Sequence, residues 1–156
     1  MAKLLIIADD FTGALDTGVQ LSKKGVSTQV LIQNNMHWCQ LSTDAEVLVV
    51  DTESRHLDAE QSYKKVFELC ISARENGIRY IYKKTDSTLR GNIGAELSAL
   101  MDACNIKKLY FIPAYPEEGR ITIKGHQYVK GVPLSQTIFA KDPLNPVVDT
   151  YIPNII

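Results

Sequence analysis

The chain has 156 residues, 45% of them hydrophobic and 22% charged, with 17 basic against 18 acidic side chains. That length corresponds to one domain able to bury about 70% of the surface its unfolded form exposes, and the composition excludes disordered and fibrous classes. A formal net charge of −1 supplies no global field for nucleic acid or anionic lipid, so any anion recognition has to be local.

The first predicted strand is Leu4–Ala8. Its apolar run stops against Asp9 and Asp10, too short for a signal peptide, and no later stretch approaches a membrane span. A soluble cytoplasmic protein is expected. A helix follows in which Phe11, Ala14, Leu15, Gly18 and Val19 share one face, with Asp10 or Thr12 as its cap. Further strands are predicted at Thr28–Ile32, Glu46–Val50, Arg79–Tyr82 and Lys108–Ile112, nearly continuous apolar runs that suit a sheet covered on both faces. Between them, Tyr63, Val66, Phe67 and Cys70 form a second helical stripe. Ile93, Leu97, Leu100, Met101 and Cys104 form a third, with Asn92 placed to cap it. This alternation predicts an α/β domain with a doubly wound, mostly parallel sheet and helices on both faces.

After Pro113 the pattern changes. Arg120–Leu134 alternates apolar and polar residues around Gly125 and Gly131, which predicts a β-hairpin or small antiparallel extension. Asp142-Pro143 and Asn145-Pro146 favour extended or turning backbone. The apolar finish Tyr151-Ile152-Pro153-Asn154-Ile155-Ile156 suggests that the natural polypeptide continues. Cys39, Cys70 and Cys104 have no zinc or redox spacing and are expected to be reduced core residues. His37, His56 and His126 have no metal-type spacing. Trp38 and the tyrosines are not interleaved with basic clusters, so no nucleic-acid partner is expected.

Ligands of an open parallel sheet bind beyond the carboxyl ends of its strands, and there the polar residues gather. The first strand ends in Asp9-Asp10-Phe11-Thr12-Gly13, the third in Asp51-Thr52-Glu53-Ser54-Arg55 and the fourth in Lys83-Lys84-Thr85-Asp86-Ser87-Thr88-Leu89-Arg90-Gly91-Asn92. The fifth leads to Glu117-Glu118-Gly119-Arg120. Two carboxylates at the first turn would repel a phosphate, but an ionised carboxylate accepts hydrogen bonds from sugar hydroxyls. Lys84 and Arg90, mixed with Asp86, Ser87 and Thr88, can hold a carboxylate while an acid contacts a hydroxyl. A hydroxy acid is the natural ligand for such a set. Arg55 and Arg120 carry weaker signals, because single loop arginines are usually just exposed.

The stretches Ile7-Ala8-Asp9-Asp10-Phe11-Thr12-Gly13-Ala14, Lys84 to Asn92 and Pro113-Ala114-Tyr115-Pro116 leading to Gly119-Arg120 resemble the four-carbon acid sugar kinases. Gly125-His126, Gly131-Val132-Pro133-Leu134 and Asp142-Pro143 follow in the same order. The resemblance implies a two-domain enzyme that uses ATP and Mg²⁺ to phosphorylate threonate, erythronate or an oxo-tetronate. Residues 1–156 would be its amino-terminal sugar-acid-binding domain, inactive alone, with the nucleotide bound by a carboxy-terminal domain absent from this chain. On the matching motifs, Asp9, Asp10, Arg55, Lys84, Thr85, Asp86 and Ser87 would contact the sugar acid, with Arg90 a further candidate. Asp10 or Asp86 would orient or deprotonate the attacking hydroxyl, while Lys84 and Arg55 hold the carboxylate. Self-association is compatible with the sequence but not specified by it.

Two alternatives use the same acids. A response-regulator receiver domain would bind Mg²⁺ through Asp9 and Asp10, accept phosphate on Asp51 and place Thr85 after its fourth strand. It would also need a lysine closing the fifth strand, where Pro113-Ala114 stands. A haloacid-dehalogenase-type phosphatase needs an aspartate two places after its nucleophile, and Phe11 stands two places after Asp9.

Overall fold

The computed structural model describes residues 2–32 and 44–156; His37, Trp38 and Cys39 lie outside them. Four strands, β1 (Leu4–Ala8), β2 (Thr28–Ile32), β3 (Val47–Asp51) and β4 (Tyr80–Lys84), form one sheet in the order β2-β3-β1-β4. Every pairing is parallel, with Leu4 opposite Val47 and Tyr80, and Ala8 opposite Asp51 and Lys84. The central strands β1 and β3 are apolar up to Asp51, the last residue of β3, because both their faces are covered.

Side chains of even number on β1 face one way and those of odd number the other. Ile6 and Ala8 join Val47, Val49 and Ala14 under α1 (Phe11–Ser22). Leu5 and Ile7 join Leu48, Val50, Val66, Cys70 and Leu100 beneath α2 (Ala59–Glu75) and α3 (Ile93–Cys104). Leu5, Ile7 and Val50 are fully buried, each worth about 2 kcal/mol by the usual area bookkeeping. Helices therefore cover both faces, as the alternation predicts. The core stripe of α1 is Ala14 and Gly18, whereas Phe11, Leu15 and Val19 are half-exposed. Gly18 allows the close approach of α1 to the sheet there, since a Cβ would stand 3.0 Å from Val30 Cγ2.

The predicted fifth strand is not a strand. Residues Lys108–Ile112 join neither sheet, although Leu109 and Phe111 pack inward while Tyr110 and Ile112 are 96% and 79% exposed. Extended backbone alternates its side chains with or without a ladder, so periodicity alone cannot distinguish the two. Beyond it, β5 (Arg120–Ile123), β6 (His126–Val129) and β7 (Val132–Pro133) form a separate antiparallel sheet. Its turns are Lys124-Gly125 and Lys130-Gly131, all four residues at positive φ, the conformation of the tight hairpin turn that matches strand twist. Leu134, Val147 and Ile152 then pack with Leu89, Ile93 and Leu97 in a second core, which accounts for part of the apolar tail.

Candidate functional site

The sheet brings the predicted strand-end residues together. Thr52 N–H donates to Ala8 O at 2.9 Å, and the N–H groups of Ser54 and Arg55 both donate to Asp9 O, at 3.1 and 3.2 Å. The loop after β3 is thereby tied to the end of β1. Arg55 lies over the acidic pair, its Nε donating to Asp9 Oδ2 and its Nη1 to Asp10 Oδ2, both at 2.7 Å. Gly91, at φ +90°, lets the β4 loop close on Arg55, since a Cβ there would stand 3.3 Å from Arg55 Cγ. Asp10 is the cap of α1, its Oδ1 accepting from Gly13 N–H at 3.0 Å. Thr12 is exposed, so the choice between the two falls on Asp10.

Lys84 emerges on the α1 side, its Nζ donating to Thr85 O at 2.7 Å and passing so near Gly13 that a Cβ would sit 3.1 Å away. Asp86 Oδ2 accepts from Thr88 Oγ1 at 2.6 Å and from Arg90 Nε at 2.5 Å, and Arg90 Nη1 reaches Asp142 Oδ2 at 3.2 Å. Arg120, delivered by β5, donates through Nη1 to Ser87 Oγ at 2.5 Å. Acids and cations thus alternate from Asp142 through Arg90 and Asp86 to Lys84, Asp9, Asp10 and Arg55.

The charges of this cluster act on one another's proton affinities. Burial opposes the charge of Arg55, but its bond to Asp9 and the nearby Asp86 and Asp10 hold it firmly charged. Burial likewise lowers Lys84 and outweighs the same three acids. For Asp86 burial works upward, yet the bonds from Arg90 and Thr88 with the charges of Arg90 and Arg55 prevail and hold it at about 2. Asp9 Oδ1 and Arg120 Nε are buried without a hydrogen-bond partner.

Several site features escaped the sequence. Arg120, only a weak signal in the sequence, and Asp142 close the cluster through long-range contacts that local spacing does not encode. Asn92 stands at the cap position of α3 without capping it. Its amide instead donates to Leu57 O at 2.7 Å and to Ser62 Oγ at 2.9 Å. A groove of ≈ 500 Å³ between α3 and residues Lys107 to Phe111 is apolar and holds none of the candidate residues. Asp51 is 1% exposed inside β3, its Oδ1 accepting from Glu53 N–H at 2.9 Å. A phosphate acceptor has to be reachable, so the receiver reading finds no support. Cys70 is a buried free thiol, pushed up to about 12 by burial.

Fold and cluster together define an α/β ligand-binding domain whose charged residues sit at the carboxyl ends of a parallel sheet. The chain belongs to the family described as the sugar-binding N-terminal domain, whose model matches residues 4–156. It is 44% identical over 155 residues to the D-threonate kinase of Salmonella typhimurium, covering 99% of this chain and 36% of that protein. It is 37% identical over 157 residues to the D-erythronate kinase of Heliobacterium modesticaldum, covering 100% of this chain and 36% of that one. A crystal structure of a Bordetella bronchiseptica protein, a domain-swapped dimer with bound citrate, superposes with TM-score 0.88 at 35% identity. That match covers 99% of this chain and 40% of the other. The chain therefore spans little more than a third of the length of the curated relatives it matches. Among the described residues no helix is long and apolar enough to cross a membrane.

Proposed function

We propose that this chain is the sugar-acid-binding domain of a cytoplasmic ATP-dependent kinase that phosphorylates a hydroxyl of threonate, erythronate or 3-oxo-tetronate. The observation that carries it is the alternating cluster of Asp9, Asp10, Arg55, Lys84 and Asp86 at the strand ends. Such a cluster complements a small anion carrying several hydroxyls. The names of the kinase relatives support it, as does the citrate bound to the Bordetella neighbour, itself a hydroxy acid.

Within the cluster Lys84 is the cation with most to give a substrate carboxylate, because one of its three N–H groups is taken by Thr85 O and the others can form charge-assisted bonds. Arg55 has committed Nε and Nη1 to Asp9 and Asp10. It fixes the acids and offers its remaining N–H groups to the ligand. Of the two candidate catalytic acids, the Asp10 side chain is 27% exposed and that of Asp86 9%. Asp86, held near 2 by Arg90 and Thr88, is a weak proton acceptor. Asp10 is accordingly the group that orients the attacking hydroxyl, while Asp86, Ser87 and Thr85 shape the loop around it.

The triphosphate of ATP does not fit the turn after β1. Asp9 and Asp10 stand where phosphate oxygens would lie, and Gly13 N–H is already taken by Asp10. The nucleotide is assigned to a second domain in the polypeptide of full length. Self-association of the kind seen in the Bordetella dimer belongs to the same proposal.

A coupled kinase assay on the full-length polypeptide tests the reading. Phosphorylation of at least one four-carbon sugar acid is expected, with D10N lowering kcat by about 10²-fold or more and K84M acting mainly on KM. No turnover with any of the three acids would sink it.

A further inference from the structure

Lys83 and Lys84 are neighbours on β4 and therefore project to opposite sides of the sheet. Lys84 reaches the site, whereas Lys83 Nζ turns to the α3 side and lies 3.0 Å from Glu96 Oε2, both side chains 2% exposed. Lys83 Nζ also donates to Lys84 O at 3.0 Å. The other carboxylate oxygen of Glu96 accepts from Ser54 Oγ. Ser54 Oγ lies 2.7 Å from Thr52 Oγ1, which donates to Ala8 O at 2.8 Å. Ser62 Oγ donates to Ser54 O at 3.0 Å, and Ser54 N–H is held by Asp9 O. One buried carboxylate thus grips Lys83, next to Lys84, and Ser54, next to Arg55.

A buried ion pair is seldom worth more to stability than an apolar pair of the same volume, so stability alone does not explain this one. We propose that Lys83 and Glu96 are positioning residues. They lock the ends of β3 and β4 together from beneath and so set the spacing of Arg55 and Lys84 above the sheet. The locking is a property of the fold. Its consequence for binding rests on the sugar-acid reading given above.

The test is the double variant K83M/E96L, which removes both charges and keeps the volume, compared with S54A, which cuts only the link to the Arg55 loop. Hydrogen exchange and calorimetric titration with threonate and erythronate provide the readouts. The double variant should fold with a Tm close to that of the parent chain. Amide protection at Ser54 and Arg55 should fall by about tenfold while that of Leu5 and Val49 is kept, and sugar-acid affinity should fall by a similar factor, with S54A reproducing the loss. A double variant that retains parental protection and affinity overturns the proposal. So does one that fails to fold, since the pair would then serve stability. If the parent chain binds no sugar acid, the functional reading fails, and the exchange comparison still decides the positioning role.

Discussion

At Gly13 two requirements meet in one missing side chain. Alanine in a helix ordinarily improves on glycine by about 1 kcal/mol. Here a Cβ would stand 2.6 Å from Asp10 Oδ1 and 3.1 Å from Lys84 Nζ, so the usual sign should reverse. Either the cap breaks, at a cost of about 1 kcal/mol, or Lys84 is displaced from the site. G13A is expected to lower Tm and to weaken sugar-acid binding by about tenfold or more, read by calorimetry. A more stable G13A chain with full affinity would contradict this geometry. The existence of a cap is legible in the sequence, which offers Asp10 or Thr12, and the bond from Gly13 N–H to Asp10 Oδ1 decides for Asp10. The role of Arg55 is not legible there. A loop arginine is usually exposed, and only the folded register of β1 against β3 shows that Asp9 and Asp10 enclose it.

The small antiparallel sheet acts on the site as an element. Gln127, fully buried on β6, accepts from Thr122 Oγ1 at 2.6 Å and donates through Nε2 to Ser87 O at 3.0 Å, while neighbouring β5 delivers Arg120 to Ser87 Oγ. Q127A leaves the Ser87 carbonyl and Thr122 hydroxyl without those partners, a loss of about 1–3 kcal/mol. Chemical denaturation should show that loss, and titration a weaker site. Unchanged stability would mean the sheet merely abuts the β4 loop. Either single variant K83M or E96L should cost more, about 3–5 kcal/mol, by stranding a buried charge. Much of this scale could be read from sequence: Gly125 and Gly131 marked both turns, and apolar runs marked the four paired strands. Lys108–Ile112 could not be read, because its alternation reports extended backbone and is silent about a ladder partner. The cap role expected of Asn92 fails for a related reason, since its amide bonds to groups thirty or more residues away.

For the molecule as a whole, a net charge of −1 conceals a concentrated field at the strand ends, and that field ties stability to pH. Asp86 is held at about 2 against an ordinary 3.8. A depressed carboxyl contributes stability that is present above its unfolded value and is lost as pH falls through about 4 toward 2, on the order of 2 kcal/mol here. Asp51, raised by burial, works in the opposite direction. The difference between the parent chain and D86N therefore isolates the Asp86 contribution. D86N should be less stable at pH 7, with the gap closing below about pH 3, as urea unfolding at several pH values would show. A gap independent of pH would refute the assignment. The most direct measurement of the whole account is a calorimetric titration of the 156-residue chain with D-threonate, D-erythronate, 3-oxo-tetronate and the neutral polyol erythritol. Binding of at least one acid, about tenfold or more tighter than erythritol and weakened in K84M, is the predicted result. Indifference to every acid, or equal affinity for the neutral polyol, would contradict it.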